Sequence, residues 1–204
     1  MHTPPQLSHI QCSQSDLLLR SRGFNLTEEY AEIISRINAG SRTVLELATG
    51  TGRMSAVLSL FFPAVITGDI SLCDHHRAVQ RVPPECRKRI SYLQLNMELL
   101  PFADDSIPFL ICLNTLHETE HPAPCLREMI RVVSPEGILA VGDFNRTGFD
   151  EMQKIHEQVY HNNHSEGTIS GEEISTALAE AFSSVTEIST PLNRTFIARN
   201  KTVR

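Results

Sequence analysis

Short apolar segments alternate along the chain with longer segments in which apolar residues recur every three or four positions. The short segments have the length of strands, and helical patterns lie between most of them. Strands that alternate with helices are typical of βαβ units and a parallel sheet. The pattern therefore predicts an α/β fold, with strands over residues 43–48, 64–69, 90–95, 109–114 and 137–143 and two closing strands over 184–190 and 195–200.

Three helices have recognisable signals at their beginnings. Thr27 is expected to cap a helix whose first turn is acidic, in keeping with the positive end of the helix dipole. The segment after Pro122 carries a single apolar stripe that can lie on the sheet. Ser170 and Glu173 form the spacing of a capping box in front of a further apolar stripe. These signals predict helices on the faces of the sheet.

Length and composition indicate one compact domain. The chain has 204 residues, of which 41% are hydrophobic and 21% are charged, as in ordinary globular proteins. We expect residues 27–204 to form the domain and residues 1–26 to form an N-terminal arm or cap. Residues 144–169 are polar, and they predict a helix over 148–160 followed by a solvated loop. A flap that faces the substrate is the alternative for this segment.

The charge balance excludes some partners. The chain has 18 Lys and Arg against 24 Asp and Glu, which gives a formal net charge of −6. A protein that binds nucleic acid usually carries a basic patch, so nucleic acid is not an expected partner. The longest nearly apolar stretch, residues 56–66, is shorter than the roughly 20 residues that a spanning helix needs. We therefore expect no membrane contact and, without a signal-peptide core, a cytoplasmic location.

A glycine-containing turn follows the first predicted strand. Residues 44–52 read VLELATGTG, so the strand enters a turn with Gly50 and Gly52 just before a helix. Such a turn allows a ligand to approach the backbone N–H groups at the helix N-terminus. Together with Ser55, the turn nearly matches the dinucleotide fingerprint G-x-G-x-x-G/A. A nicotinamide-dependent oxidoreductase is therefore one possible function.

Two acidic residues favour a different ligand. Glu46 lies in the first strand below the turn, where a carboxylate repels a pyrophosphate and attracts a cation. Asp69 ends the second strand at the same edge of the sheet, which suits a carboxylate that accepts from a ribose diol. A charged hydrogen bond of this kind contributes about 1.5–3 kcal/mol. The pair favours an adenosine that carries positive charge.

At these motifs the chain resembles the class I S-adenosylmethionine-dependent methyltransferases, in order from about residue 43 to residue 143. The first motif of that family is similar to residues 44–52, its acidic ribose ligand to Asp69, and its third motif to residues 95–102, LNMELLPF. Residues 109–117 and 126–137 are similar to the fourth strand with its loop and to the helix that leads into the fifth strand. The resemblance implies a three-layer Rossmann-like methyltransferase fold, with a mostly parallel seven-stranded sheet and an antiparallel last strand, and S-adenosylmethionine as the cofactor.

The resemblance also implies roles for single residues. Asn96 stands where the family usually has Asp, and its amide oxygen can still accept from the adenine amino group. Ala48 replaces the first glycine of the usual turn. The implied cofactor contacts are Glu46 and the backbone at Ala48, Gly50 and Gly52 for the methionine part, Asp69 for the ribose, Ile70, Asn96 and Met97 for the adenine, and Asn114 near the sulfonium.

Residues 117–121 read HETEH and fit the zinc motif H-E-x-x-H, which requires a helix. Pro122 disfavours a helical backbone at the preceding His121, and the segment follows a strand, so we predict a loop and no metal site. In that loop His117 is expected close to the transferred methyl group, either with a structural role or as a substrate contact or general base. Asp143, Asn145 and Arg146, after the fifth strand, are candidates for the acceptor pocket, and an ordinary polar loop is the alternative.

The sequence thus predicts a methyltransferase that positions S-adenosylmethionine against an acceptor, with catalysis arising mainly from proximity. The length is close to a bare methyltransferase core, which favours a small-molecule acceptor or a partner that completes the pocket. The alternatives are a catalytically silent methyltransferase-like binding module and an NAD(P)-dependent oxidoreductase. The oligomeric state and the identity of the acceptor do not follow from the sequence.

Overall fold

The structure is a computed structural model that describes residues 6–202. Within this range the strands are β1 (Val44–Leu47), β2 (Val65–Asp69), β3 (Ile90–Gln94), β4 (Ile107–Leu113), β5 (Val133–Phe144), β6 (Phe182–Ser189) and β7 (Asn193–Lys201). The α-helices are α1 (Gln14–Ser21), α2 (Leu26–Ile37), α3 (Arg53–Phe61), α4 (His75–Arg81), α5 (Pro122–Val132), α6 (Arg146–Ile155) and α7 (Gly171–Ala181). Shorter segments are the 3₁₀ turns Leu7–His9, Pro84–Arg89 and Leu116–Glu118 and the π-helical turn His156–Tyr160.

The seven strands form one sheet in the order β3-β2-β1-β4-β5-β7-β6. Every neighbouring pair is parallel except those of β7, which runs antiparallel to both β5 and β6. The predicted fold class is therefore confirmed. The strand order reverses direction between β1 and β4, and open α/β sheets bind ligands in the crevice at such a switch point, beyond the carboxyl ends of the strands.

Helices cover both faces of the sheet. Neighbouring residues of a strand point to opposite sides, and the strands carry apolar residues on both sides that the helices bury. In β4, Phe109 and Ile111 pack in one apolar cluster with residues of α2, α3 and α6. Leu110 and Cys112, the residues between and after them, pack in a second cluster with α5 and α7. The result is the expected three layers. In the described part of the chain, none of the helices has both the length and the apolar character that crossing a bilayer requires.

The predicted helix signals have different outcomes. The capping box at α7 is confirmed, with the backbone N–H of Glu173 donating to the Ser170 hydroxyl at 3.2 Å. The helix α2 is present as predicted, but its predicted cap is wrong, because Asn25 rather than Thr27 is its N-cap and accepts from the backbone N–H of Glu28. Asn25 has the extended backbone of an N-cap, whereas Thr27 already lies inside the first turn.

Candidate functional site

Two adjoining cavities lie at the carboxyl ends of β1, β2 and β4. The first has a volume of about 210 Å³ and the second of about 350 Å³. Ala48, Asp69, Thr115 and Glu118 line both of them. The site is therefore divided into two compartments that share a wall, and Asp69 belongs to that wall.

The turn after β1 forms one side of the first cavity. Ala48, Gly50 and Gly52 all have a positive φ, of 63°, 47° and 78°. A side chain at Gly52 would place its Cβ 2.6 Å from the Cα of Ala78, so only glycine fits where α3 begins against α4. The Ala48 N–H donates to the carbonyl of Gly68 at 2.8 Å, which ties the turn to β2. The turn is thus fixed by packing on both sides.

Glu46 lines the first cavity from below the turn, and only 2% of the residue is exposed. The Ser55 hydroxyl donates to its carboxylate. Burial is the main cause that raises the pKa of Glu46 to about 7, and the hydrogen bonds from Ser55 and Thr67 oppose it. The sequence led us to expect a fixed negative charge here. The structure instead has a carboxyl group that is protonated in part at neutral pH.

Asp69 connects the end of β2 to the glycine turn. Its carboxylate accepts from the backbone N–H of Gly50 at 2.8 Å and from that of Ser71 at 3.0 Å. Each oxygen keeps a further lone pair that a ligand hydroxyl can use. These two backbone bonds hold the carboxylate in the wall between the cavities.

Three of the candidate adenine contacts line the second cavity. They are Ile70, which is 66% exposed, Asn96 and Met97. The side-chain oxygen of Asn96 accepts from the backbone N–H of Glu98 at 2.9 Å, so it already stabilises its own loop. The structure therefore brings the three residues together on the far side of Asp69 from Glu46.

Asn114 lies on the wall of the first cavity, at the end of β4, with a φ of 55°. Its amide nitrogen donates to the Tyr30 hydroxyl at 2.9 Å and to the side-chain oxygen of Asn193 at 2.6 Å. Asn193 in turn donates to Glu29 at 2.6 Å. The side-chain oxygen of Asn114 is buried and has no partner within residues 6–202. A buried acceptor of this kind favours a ligand that donates a hydrogen bond.

Arg53, which the sequence analysis did not identify, also lines the first cavity. Its Nε donates at 2.8 Å to Asp16 of α1, and Asp16 also accepts from the buried Arg81. Arg81 donates to the Thr51 hydroxyl of the glycine turn at 3.0 Å. Although burial opposes it, the two arginines hold the pKa of Asp16 below its usual range. This network attaches α1 to the cavity.

His117 is buried, with 2% of the residue exposed, and it does not line either cavity. Its Nδ1 lies 2.6 Å from one oxygen of Asp143, and its backbone N–H donates to the other at 3.0 Å. The Nε2 of His117 lies 3.1 Å from the Nε2 of His164, which does line the first cavity. His117 is therefore separated from the cavity by a second imidazole.

Part of the polar segment 144–169 forms a wall of the first cavity. Met152, His156 and His164 all line it, and the π-helical turn after α6 returns the chain towards β4. Burial, followed by the neighbouring His117 and His156, lowers the pKa of His164 to about 4, so its imidazole is neutral at neutral pH. Gly167 makes this packing possible, because a Cβ there would lie 2.4 Å from the Cα of His117. The segment is thus more than a solvated loop.

The structure does not bring Asn145 and Arg146 to either cavity. Asn145 is the N-cap of α6, accepting from the Gly148 N–H at 3.0 Å and donating to the Thr190 carbonyl at 3.1 Å. The side chain of Arg146 is 75% exposed, and it pairs with Asp150 and Glu166. The third residue proposed for the acceptor, Asp143, contacts His117, which lies behind the cavity-lining His164. Because the chain turns into α6 immediately after β5, Asn145 and Arg146 are directed away from both cavities.

Comparison with known proteins identifies relatives of the chain. The family model of a methyltransferase domain matches residues 45–141. The ubiquinone/menaquinone biosynthesis C-methyltransferase UbiE of Proteus mirabilis (strain HI4320) is 30% identical over an alignment of 158 residues that covers 73% of this chain. The chain spans 62% of the length of that curated relative.

Two solved structures have a similar fold. A putative S-adenosyl-L-methionine-dependent methyltransferase from Methanococcus maripaludis has a TM-score of 0.64 at 19% identity, with 87% of this chain and 86% of that chain covered. The [4+2]-cyclase SpnF also has a TM-score of 0.64, at 14% identity, with 87% and 81% covered. Since a cyclase shares the fold, the fold alone does not determine the reaction.

Proposed function

Since the chain belongs to the class I S-adenosylmethionine-dependent methyltransferases, we propose that it transfers the methyl group of S-adenosylmethionine to a carbon atom of a small, quinone-related acceptor. The observation that carries the proposal is the pair of cavities that share Asp69 at the switch point of the sheet. The carbon specificity and the acceptor class rest on the similarity to UbiE.

The two compartments suit the two halves of the cofactor. Asp69, in the shared wall, accepts from the ribose hydroxyls, and the apolar Ile70 and Met97 hold the adenine in the second cavity. Glu46, Arg53 and the turn from Ala48 hold the amino-acid part in the first cavity. Glu46 and Arg53 are complementary to an ammonium and a carboxylate. When bound, the cofactor supplies an electrophilic methyl group on a sulfonium.

We expect the acceptor on the side of the first cavity that Asn114, Phe144 and His164 line. Phe144 offers an aromatic face to a planar ring, since aromatic pairs gain about 0.5–1.5 kcal/mol beyond the area they bury. The unpartnered oxygen of Asn114 accepts from a hydroxyl of a reduced quinone. In this arrangement the protein contributes mainly by holding the ring carbon in line with the methyl group, so that the sulfur–methyl bond breaks as the new carbon–carbon bond forms. S-adenosylhomocysteine leaves, and the ring carbon gives up its proton to solvent.

Binding and turnover are tested separately. Calorimetry with S-adenosylmethionine and with NADPH identifies the cofactor, and NADPH binding alone would contradict the proposal. Replacing Asp69 by Ala should weaken binding of S-adenosylmethionine by about tenfold to a hundredfold, because charged hydrogen bonds are lost. The matched control is Asp74→Ala, since Asp74 is half exposed and pairs with Arg77 outside both cavities.

Turnover is measured as release of S-adenosylhomocysteine from a panel of reduced naphthoquinones and benzoquinones. We expect release with at least one of them, and a new carbon-bound methyl group in the product by NMR. A cofactor that binds without turnover on any acceptor would favour a silent binding module. Methylation on oxygen would refute the assignment to carbon while leaving the cofactor assignment intact.

A further inference from the structure

Three side chains converge beside the first cavity, and the proposed function does not use them together. They are His117, Glu118 and His164, and one potential ligand atom of each lies within 4.8 Å of the other two. His117 Nε2 lies 3.1 Å from His164 Nε2 and 3.7 Å from a carboxylate oxygen of Glu118. Two imidazoles and one carboxylate form a donor set that binds Zn²⁺ and Fe²⁺ in proteins.

The spacing of the two imidazoles agrees with coordination to one ion. Zinc lies about 2.0–2.1 Å from a histidine nitrogen. Two nitrogens 3.1 Å apart, each at that distance from the ion, subtend an angle of roughly 100° at the metal. This angle lies between the values of octahedral and tetrahedral sites. The two rings therefore need no change in their separation.

Asp143 gives His117 the tautomer that a metal ligand needs. Its carboxylate lies 2.6 Å from Nδ1 of His117, so the proton belongs on Nδ1 and the lone pair of Nε2 is directed towards His164. Asp143 is itself fixed by the backbone N–H groups of His117 and Phe144, at 3.0 Å and 2.9 Å. A carboxylate behind a histidine is the usual outer support of a metal ligand.

We propose that His117, Glu118 and His164 bind one divalent transition metal of the Zn²⁺ or Fe²⁺ class, with Asp143 as the positioning residue. From the sequence we predicted no metal site at the H-E-x-x-H motif of residues 117–121, because that motif requires a helix. In the structure its second histidine, His121, is the N-cap of α5, and His164 from the distant segment lies beside the first histidine instead. Glu118 and His164 both line the first cavity, so a remaining coordination position faces the acceptor.

A direct hydrogen bond between the two imidazoles would also account for their separation. That arrangement assigns nothing to the carboxylate of Glu118, whereas in both arrangements Nδ1 of His164 is buried without a partner within residues 6–202. A direct hydrogen bond between the two imidazoles, without a metal, is therefore the alternative that the experiment must distinguish from metal binding. Metal binding is measured without cofactor or acceptor, so failure of the metal proposal and failure of the methyl-transfer proposal are separate outcomes.

The experiment titrates the full chain, first stripped with a chelator, with Zn²⁺ in competition with a chromophoric chelator. We expect one equivalent to bind, and Co²⁺ in its place to give visible absorption bands of a low-symmetry site. His164→Ala and Glu118→Gln should each weaken Zn²⁺ binding by more than tenfold, and Asp143→Asn by about tenfold to a hundredfold. Circular dichroism checks that each variant is folded, and Glu118→Gln, at an exposed side chain, keeps the test valid if the buried variants unfold.

The matched control is His76→Ala, because His76 is exposed in α4, contacts Gln80 and belongs neither to the cluster nor to the lining of the two cavities. This variant should bind Zn²⁺ as the original chain does. The proposal is overturned if the original chain binds no Zn²⁺, or if His164→Ala and Glu118→Gln bind it unchanged. Loss of binding in His76→Ala alone would assign the metal to the surface and would likewise overturn it.

Discussion

The replacement Glu46→Gln tests how burial controls the charge beneath the cofactor turn. Glutamine has nearly the same shape, and its amide oxygen can still accept from the Ser55 hydroxyl. It is neutral at every pH, whereas the pKa of Glu46 is raised by burial from its ordinary 4.5 to about 7. The variant therefore removes the cost of ionising a buried carboxyl group and leaves the packing in place.

The sign and size of the effect follow from proton linkage. As the pH rises from 4.5 to 7, the unfolded chain loses the proton of Glu46 before the folded protein does, so stability falls through this window. At about 1.4 kcal/mol for each pH unit, the full cost is about 3 kcal/mol above pH 7. Below pH 4.5 the cost is absent, because the group is neutral in both states.

Chemical denaturation at pH 5 and at pH 8 provides the measurement. The free energy of unfolding of Glu46→Gln, relative to the original chain, should rise by about 2–3 kcal/mol between the two pH values. Glu32→Gln is the control, because Glu32 is exposed on α2 and pairs with Arg36 at the surface. A difference that is the same at both pH values would refute the argument. A cationic cofactor should reduce the difference at pH 8, since it stabilises the ionised carboxylate.

Three further predictions concern the turn, the N-terminal helix and α6. Gly52→Ala should abolish cofactor binding and lower the melting temperature, because its Cβ would meet Ala78 at 2.6 Å where φ is 78°. Gly23→Ala shares the strain of a positive φ, of 89°, but its Cβ meets no atom within 4 Å, so it should lower the melting temperature less. Asp16→Asn should destabilise the fold by about 3–5 kcal/mol in denaturant titrations, as expected when one partner of a buried ion pair is removed, and a loss below 1 kcal/mol would contradict the network. Asn145→Ala should cost about 0.5–2 kcal/mol as a lost helix cap and leave the dissociation constant of S-adenosylmethionine unchanged, and a weaker affinity would place it in the site.

The sequence was sufficient for features that depend on neighbouring residues. The strands follow from short apolar runs, and the turn at Gly50 and Gly52 follows from glycine next to a strand and a helix. Asp69 could be placed beside that turn because consecutive parallel strands end at the same edge of the sheet. The fold class follows from the alternation of strands and helices, whereas the family was predicted from the resemblance of residues 44–52, Asp69 and residues 95–102 to its motifs.

Contacts between distant segments were not predictable in this way. His164 lies 47 residues from His117 in the chain, and their contact depends on the π-helical turn His156–Tyr160, for which no sequence signal was recognised. Asp16 meets Arg53 of α3 and Arg81 of α4 only through the tertiary packing of α1, which also contacts α6. The charge state of Glu46 likewise depends on burial and not on residue type, so a fixed carboxylate was expected where a titrating one is found.

The ion network at α1 has a consequence for how the chain unfolds. Asp16 is the carboxylate shared by Arg53 and Arg81, and burial together with Arg53 lowers the pKa of Arg81. Without α1, these two guanidinium groups would lie close to the glycine turn without the Asp16 carboxylate that neutralises them. The helix α1 and the sheet should therefore unfold in one cooperative transition. A chain that began at residue 27 should lose its cofactor cavity together with α1.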